Sequence, residues 1–207
     1  MIILIGNQKG GPGKSTIALL LANFLTQVKK HQVTLIDMDY QQSIAQMYSR
    51  AKILDSPPPY EVVAANLEQF EQIKPILSRN PDMIFLIDLP GKLDDDGLIP
   101  LFQNADLVLC PFAYSELSFD STILFSVVLK KIKPDISLVF IPNRIKATVN
   151  YRTKSDVEHQ LSQFGNITPA IPDRIDFQRI TTVSTPINVQ PLVIAVFSQI
   201  YADYIKR

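Results

Sequence analysis

Seven consecutive residues near the amino terminus, Lys9-Gly10-Gly11-Pro12-Gly13-Lys14-Ser15, combine glycines, two lysines and a hydroxyl, a set suited to holding a polyphosphate. Glycines let the backbone curl around phosphate oxygens with its N–H groups turned inward, and a helix starting at the same place adds partial positive charge. In such a loop Lys14 would reach the β- and γ-phosphates and the Ser15 hydroxyl would coordinate Mg2+. Thr16, one residue on, is placed to bond the α-phosphate. The general pattern G-x-x-x-x-G-K-[ST] asks for glycine at position 8, where this chain has Gln8. The chain instead adds Lys9, a second cation able to stabilise charge spreading over phosphoryl oxygens, although a solvated loop lysine would look the same.

Carboxylates occur at two places further along. In Leu35-Ile36-Asp37-Met38-Asp39-Tyr40-Gln41 two acids alternate where an apolar run ends, which sets both near the phosphate loop or, more plainly, at the cap of the next helix. Met83-Ile84-Phe85-Leu86-Ile87-Asp88-Leu89-Pro90-Gly91 is a buried-strand pattern that stops at an acid and a Pro-Gly turn, the form of a Walker B segment. Asp88 would then bind Mg2+ through water, and the turn could sense a γ-phosphate. Asp94-Asp95-Asp96 reads as a solvated loop and helix start rather than a metal site.

These groups need a scaffold, and the hydrophobic pattern supplies one. Short Ile/Val/Leu-rich runs alternate with longer helical periods, as in βαβ units around a parallel sheet. Strands are predicted over Ile2–Ile5, Val33–Ile36, Tyr60–Ala64, Met83–Ile87, Leu107–Pro111, Ser137–Ile141 and Ile167–Ala170. Helices are predicted over Lys14–Lys29, Gln42–Ala51, Leu67–Ser78, Ser118–Lys131, Thr153–Phe164 and Leu192–Ile205. The expected fold is α/β, a doubly wound and mostly parallel sheet with helices on both faces, as one domain over residues 1–207. Ser56-Pro57-Pro58-Pro59 is expected only to turn the chain before the third strand. Cys110, alone in an apolar run, reads as a small buried hydrophobe.

Asn7-Gln8-Lys9-Gly10-Gly11-x-Gly13-Lys14-Ser15 resembles the deviant Walker A box of the ParA/MinD family of partition and positioning ATPases. The resemblance extends over nearly the whole chain. It implies ATP and Mg2+ as ligands and a homodimer in the ATP state, with Lys9 reaching across to the nucleotide of the other subunit. Asp37-Met38-Asp39-Tyr40-Gln41 resembles that family's D-x-D-P-Q box, with Tyr40 in place of proline. By that match Asp39 orients the attacking water, and Asp37 helps hold hydrated Mg2+. Phe140-Ile141-Pro142-Asn143-Arg144 and Ile171-Pro172-Asp173-Arg174 resemble the two adenine-side segments, which assigns the base to Asn143, Pro172 and Asp173.

The purpose of such a switch divides into classes. No helix-turn-helix appendage is visible, so a short ParA-type partition ATPase would bind DNA nonspecifically through clustered cations and work with a DNA-bound, ParB-like adaptor. Net charge is zero, but residues 130–154 hold seven basic residues against one acid, which makes Lys130, Lys131, Lys133, Lys146, Arg152 and Lys154 the candidates, with Arg174 and Arg179 as additions. A solvated surface explains the same charges. A MinD-type membrane anchor needs a basic face, and the last helix has only the terminal Lys206 and Arg207, so packing against the core is expected. One cysteine excludes a shared metal cluster of the nitrogenase-iron-protein type. Biosynthetic relatives that phosphorylate a carboxylate, of the dethiobiotin synthetase and cobyrinate amidase type, share the fold, but Lys9 and the D-x-D-x-Q box favour the switch. With no basic leader and no apolar stretch approaching the ~20 residues of a membrane span, a cytoplasmic location is expected.

Overall fold

The computed structural model describes residues 1–8, 11–53, 58–91 and 96–206. Lys9 and Gly10 of the phosphate loop, Ser56 and Pro57 of the proline segment, and Asp94 and Asp95 of the acidic triplet lie outside the described residues.

Among the described residues, seven strands, β1 (Ile2–Ile5), β2 (Val33–Asp37), β3 (Glu61–Ala64), β4 (Ile84–Asp88), β5 (Leu107–Phe112), β6 (Ser137–Pro142) and β7 (Asn166–Ile167), form one sheet in the order β3-β2-β4-β1-β5-β6-β7. Every neighbouring pair is parallel. The central strands are buried along almost their whole length because both faces are covered, which is why they read as unbroken apolar runs. The seventh strand is shorter than predicted. Thr168 still donates its N–H to the Phe140 carbonyl, but the next bond to β6 comes from Ile171, which donates to the Pro142 carbonyl one residue later than the alternation of the ladder requires, so the regular pairing ends there.

Among the described residues, α1 (Lys14–Asn23), α2 (Ser43–Ile53), α3 (Phe70–Arg79), α4 (Leu98–Asn104), α5 (Glu116–Ile132) and α6 (Lys154–Leu161) connect successive strands, and α7 (Gln190–Ile200) follows β7. The alternation of side chains along each strand sorts the core into two layers. Ile3, Ile5, Leu35, Leu86 and Leu109 meet α1, α2 and α7 on one face. Leu4, Ile36, Ile87, Val108 and Phe140 meet α3, α4, α5 and α6 on the other.

Six of the helices match the sequence pattern; α4 does not. It has only seven residues, with Pro100 in the first turn where its missing N–H is tolerated, and it is held by burial of Leu98, Leu101 and Phe102 rather than by a long periodic stripe. The predicted stretches 14–29 and 192–205 both finish in a widened π-type turn, Phe24–Val28 and Tyr201–Ile205. Those ends pack together, with the Phe24 ring 5.8 Å from Phe197 and 6.5 Å from Tyr201.

The path of the chain decides where a ligand goes. From β1 the crossover through α1 leads toward β2, whereas β4 crosses past β1 through α4 to β5 on its other side. The two connections diverge at the carboxyl end of β1, which opens a crevice there, and β1 runs directly into the glycine-rich loop.

Candidate functional site

The loop after β1 is tied down from beneath. Asn7 is buried, and its Nδ2 donates to the Pro111 carbonyl at 2.8 Å and to Thr122 Oγ1 at 2.9 Å, pinning the loop to the end of β5 and to α5. Gly13 has φ of 89°, in the left-handed region, and a Cβ there would lie 2.5 Å from Asn143 Nδ2. Two independent constraints therefore demand glycine. The Gly13 carbonyl accepts from Ile17 N–H at 2.9 Å and so opens α1, which carries Lys14, Ser15 and Thr16 in its first turn. Lys14 is buried, an uncommon place for a lysine unless an anion is meant to meet it.

Asp37 and Asp88 are fully buried and stand opposite each other on neighbouring strands. Asp37 is satisfied. Its Oδ2 accepts from the N–H groups of Ile44 and Ala45, both at 3.0 Å, and its Oδ1 accepts from Asp39 N–H at 3.2 Å. Burial pushes its carboxyl above the usual range, and the three backbone donors pull against that. The sequence paired Asp37 with Asp88 on Mg2+; its hydrogen bonds point instead to capping the amino end of α2, with two of the orphan amides there as its partners.

Among the described residues, nothing hydrogen-bonds to either carboxylate oxygen of Asp88. Burial raises it to about 7, while the nearby Ser15 hydroxyl and the Lys14 ammonium hold it down. Those two groups stand close enough to act on its charge although neither completes a bond of ordinary length. A buried carboxylate with two unused acceptors beside a serine hydroxyl fits a hydrated divalent cation, because such an ion keeps several waters and needs few protein ligands. Asp39 is half-buried; its Oδ1 accepts from Gln41 N–H at 3.0 Å, closing a tight turn.

Beyond Gly13 lies a cavity of about 260 Å³, near the lower end of small-ligand sites at roughly 300 Å³. Thr16, Asn143, Pro172 and Asp173 line it, together with Arg174 and Phe177. The strand-end segments that build it clasp each other: Ile145 N–H donates to the Ile171 carbonyl at 3.1 Å, and Asp173 N–H to the Ile145 carbonyl at 3.0 Å. Phe177, which the sequence did not single out, enters through a short 3-10 turn at Ile175–Arg179 that has no periodic signature.

Residues 3–187 match the model of the CobQ/CobB/MinD/ParA nucleotide binding domain. The chain belongs to that family. Solved structures agree on the fold. A putative plasmid partition protein from Borrelia burgdorferi bound to AMPPNP superposes with a TM-score of 0.75 at 23% identity, covering 99% of this chain and 98% of that one. MinD in the MinC:MinD cell division protein complex of Aquifex aeolicus gives 0.78 at 18% identity, with 99% and 96% covered. Apo McdA of Cyanothece gives 0.75 at 17%, with 97% and 98% covered. No curated protein matches the chain.

As a member of the CobQ/CobB/MinD/ParA family, the chain divides its basic residues between two ends of the sheet. Lys130 Nζ donates to the Ile136 carbonyl at 2.8 Å and Lys133 Nζ to the Ala105 carbonyl at 2.7 Å, both at the amino ends of strands. Lys131 is exposed near them. Lys146, Arg152 and Lys154 are exposed at the opposite, carboxyl end of the sheet, with Arg174 lining the cavity and Arg179 exposed. Lys154 also lies 3.9 Å from Glu158. The six predicted DNA contacts are therefore not one patch. Cys110 is buried within β5, and burial pushes its thiol well above the usual range, in keeping with a packing role. In α7, Val193, Val196, Phe197 and Ile200 are buried against the core, and no described helix is long and apolar enough to cross a membrane.

Proposed function

We propose that this chain is an ATPase that binds MgATP in the crevice above β1 and works as a nucleotide-switched dimer in DNA partition. The observation that carries the reading is Asp88, a buried and unpartnered carboxylate within electrostatic reach of Lys14 and Ser15 at the foot of a glycine loop. Lys14 and the inward amides would hold the β- and γ-phosphates, Thr16 the α-phosphate, and Asn143, Pro172 and Asp173 the adenine end. Ser15 and Asp88 would hold Mg2+, which when bound supplies neutralisation of the phosphate charge. Asp39, with one carboxylate oxygen left over from its turn, would accept a proton from and orient the attacking water.

The dimer rests on Lys9 and on its resemblance to the signature lysine of the ParA/MinD box, the residue that would reach the partner's triphosphate. A partition role is supported by the fold shared with the Borrelia protein and by the exposed cations at the nucleotide end, Lys146, Arg152 and Lys154, which would move with the dimer interface. Work with a second protein, a ParB-like adaptor, is the corresponding proposal, and a cytoplasmic location accords with DNA as the partner.

The test is light scattering with MgATP or MgADP, together with ATPase assays with and without sheared DNA. ATP-dependent doubling of mass and DNA-stimulated or DNA-retained protein support the reading. Hydrolysis that requires a small carboxylic acid would replace it with the biosynthetic class, and ATP-dependent sedimentation with vesicles would replace it with the membrane class.

A further inference from the structure

The two residues that follow β6 do something to the phosphate loop that a base-binding role does not require. Asn143 Nδ2 donates to the Pro12 carbonyl at 2.8 Å, and Arg144 Nη1 donates to the Gly11 carbonyl at 3.1 Å. Consecutive residues on one strand end thus capture consecutive carbonyls of the loop. Arg144 adopts φ of 59°, a left-handed conformation that a non-glycine residue holds only under tertiary constraint. Its Nε also lies 3.7 Å from Asp173 on the base-side segment.

Peptide geometry makes the capture consequential. In a trans peptide the carbonyl and the following N–H point in opposite directions, so a Pro12 carbonyl turned to Asn143 turns the Gly13 N–H the other way. The Gly11–Pro12 peptide has no N–H at all, and its only polar group is a carbonyl whose lone pairs would repel a phosphate. Left uncaptured, that carbonyl is free to swing inward about the flexible Gly11, whose φ is 97°.

We propose that Arg144 is a positioning residue of the phosphate loop: with Asn143 it holds the Gly11 and Pro12 carbonyls outward, so that the loop offers a polyphosphate its amides and Lys14 without a competing lone pair. Asp173 steadies the guanidinium from the base side, so the Arg144 side chain links the base-side segment to the loop. The role rests on the proposed nucleotide site, and it assigns Arg144 to the polyphosphate, not to the base.

Arg144→Gly removes the side chain and relieves the left-handed backbone, so it should fold at least as well as the parent; Arg144→Lys keeps the charge without the fork. Calorimetric titration with MgATP and MgADP should show about tenfold weaker binding for Arg144→Gly, in line with loss of a charged hydrogen bond, and an intermediate loss for Arg144→Lys. Adenosine binding, followed by saturation-transfer NMR, should be unchanged in both. Equal weakening of adenosine and MgATP would make Arg144 a base contact, and unchanged MgATP affinity would remove the role altogether; either overturns the proposal. Failure of the parent itself to bind MgATP would instead sink the nucleotide site on which it rests.

Discussion

Asp37 and Asp88 are register partners at the ends of adjacent parallel strands, both fully buried, yet three backbone amides satisfy the first and, among the described residues, no hydrogen bond reaches the second. The difference lies in the path the chain takes on leaving each strand. After β2 the chain turns within six residues into α2 and delivers its amides back onto Asp37; after β4 it leaves through Leu89-Pro90-Gly91, and none of these three residues donates to Asp88. The Asp37 oxygens are thereby engaged by backbone amides, whereas those of Asp88 stay open for the cation proposed above.

Asp88→Asn should stabilise the nucleotide-free protein. The folded-state pKa of Asp88 is raised to about 7 from 3.8, so ionisation is penalised only in the folded state, and the penalty grows as pH rises from about 4 and levels off above 7. The variant should melt several degrees higher at pH 8, a gain bounded on the order of 4 kcal/mol, and the gain should shrink toward pH 4. Differential scanning calorimetry across that range checks it, and Mg2+-dependent tightening of ATP should be lost in the same variant.

Asp37→Ala leaves a buried amide at Ile44 and a half-buried one at Ala45 without an acceptor and should cost about 2 kcal/mol. Hydrogen exchange should accelerate at Ile44 and Ala45, while nucleotide affinity changes only a few-fold. Asp37→Asn, which keeps one acceptor, should fall between. A Mg2+-dependent loss as large as that of Asp88→Asn would return Asp37 to the metal site.

Gly13→Ala meets both a clash with Asn143 Nδ2 and an unfavourable φ of 89°. ATP affinity should drop by more than tenfold. Adding Asn143→Ala relieves the clash but not the backbone, where strain of about 1–2 kcal/mol persists, so the double variant should recover only in part. Fluorescence titration with a labelled ATP analogue measures the two contributions.

Lys14→Ala should abolish nucleotide binding, because the buried ammonium is the one cation placed beside Asp88 among the described residues. Lys9→Ala should keep appreciable binding and lose ATP-dependent dimerisation and turnover. Size-exclusion chromatography with MgATP separates the two; a Lys9→Ala chain that still dimerised like the parent would remove the cross-subunit role.

Asp39→Ala should bind MgATP and accumulate as a dimer, with turnover slowed by roughly a hundredfold, the usual scale for a positioned base. A phosphate-release assay reports it directly. Turnover at the parent rate would take Asp39 out of the mechanism.

The glycine loop, the strands and the family were legible in the chain because their signals are local. A loop that must wrap phosphate declares itself in seven neighbouring residues, and strands buried on both faces declare themselves as short runs of Ile, Val and Leu. Elements held by distant partners were less so: α4 depends on burial of three side chains, Phe177 reaches the cavity beyond Gly13 on an aperiodic turn, and β7 ends where the bonding to β6 shifts from Thr168 to Ile171.

Sequence alone thus determined that a parallel sheet presents a phosphate loop with acids at neighbouring strand ends, since spacing along the chain governs both. Only the tertiary structure decided which acid is free, which lysines are spent on carbonyls at the far end of the sheet, and that Asn143 and Arg144 reach the loop some 130 residues earlier. The physical reason is that a side chain's role depends on which donors and acceptors surround it, and those arrive from segments whose separation in sequence carries no trace of their contact.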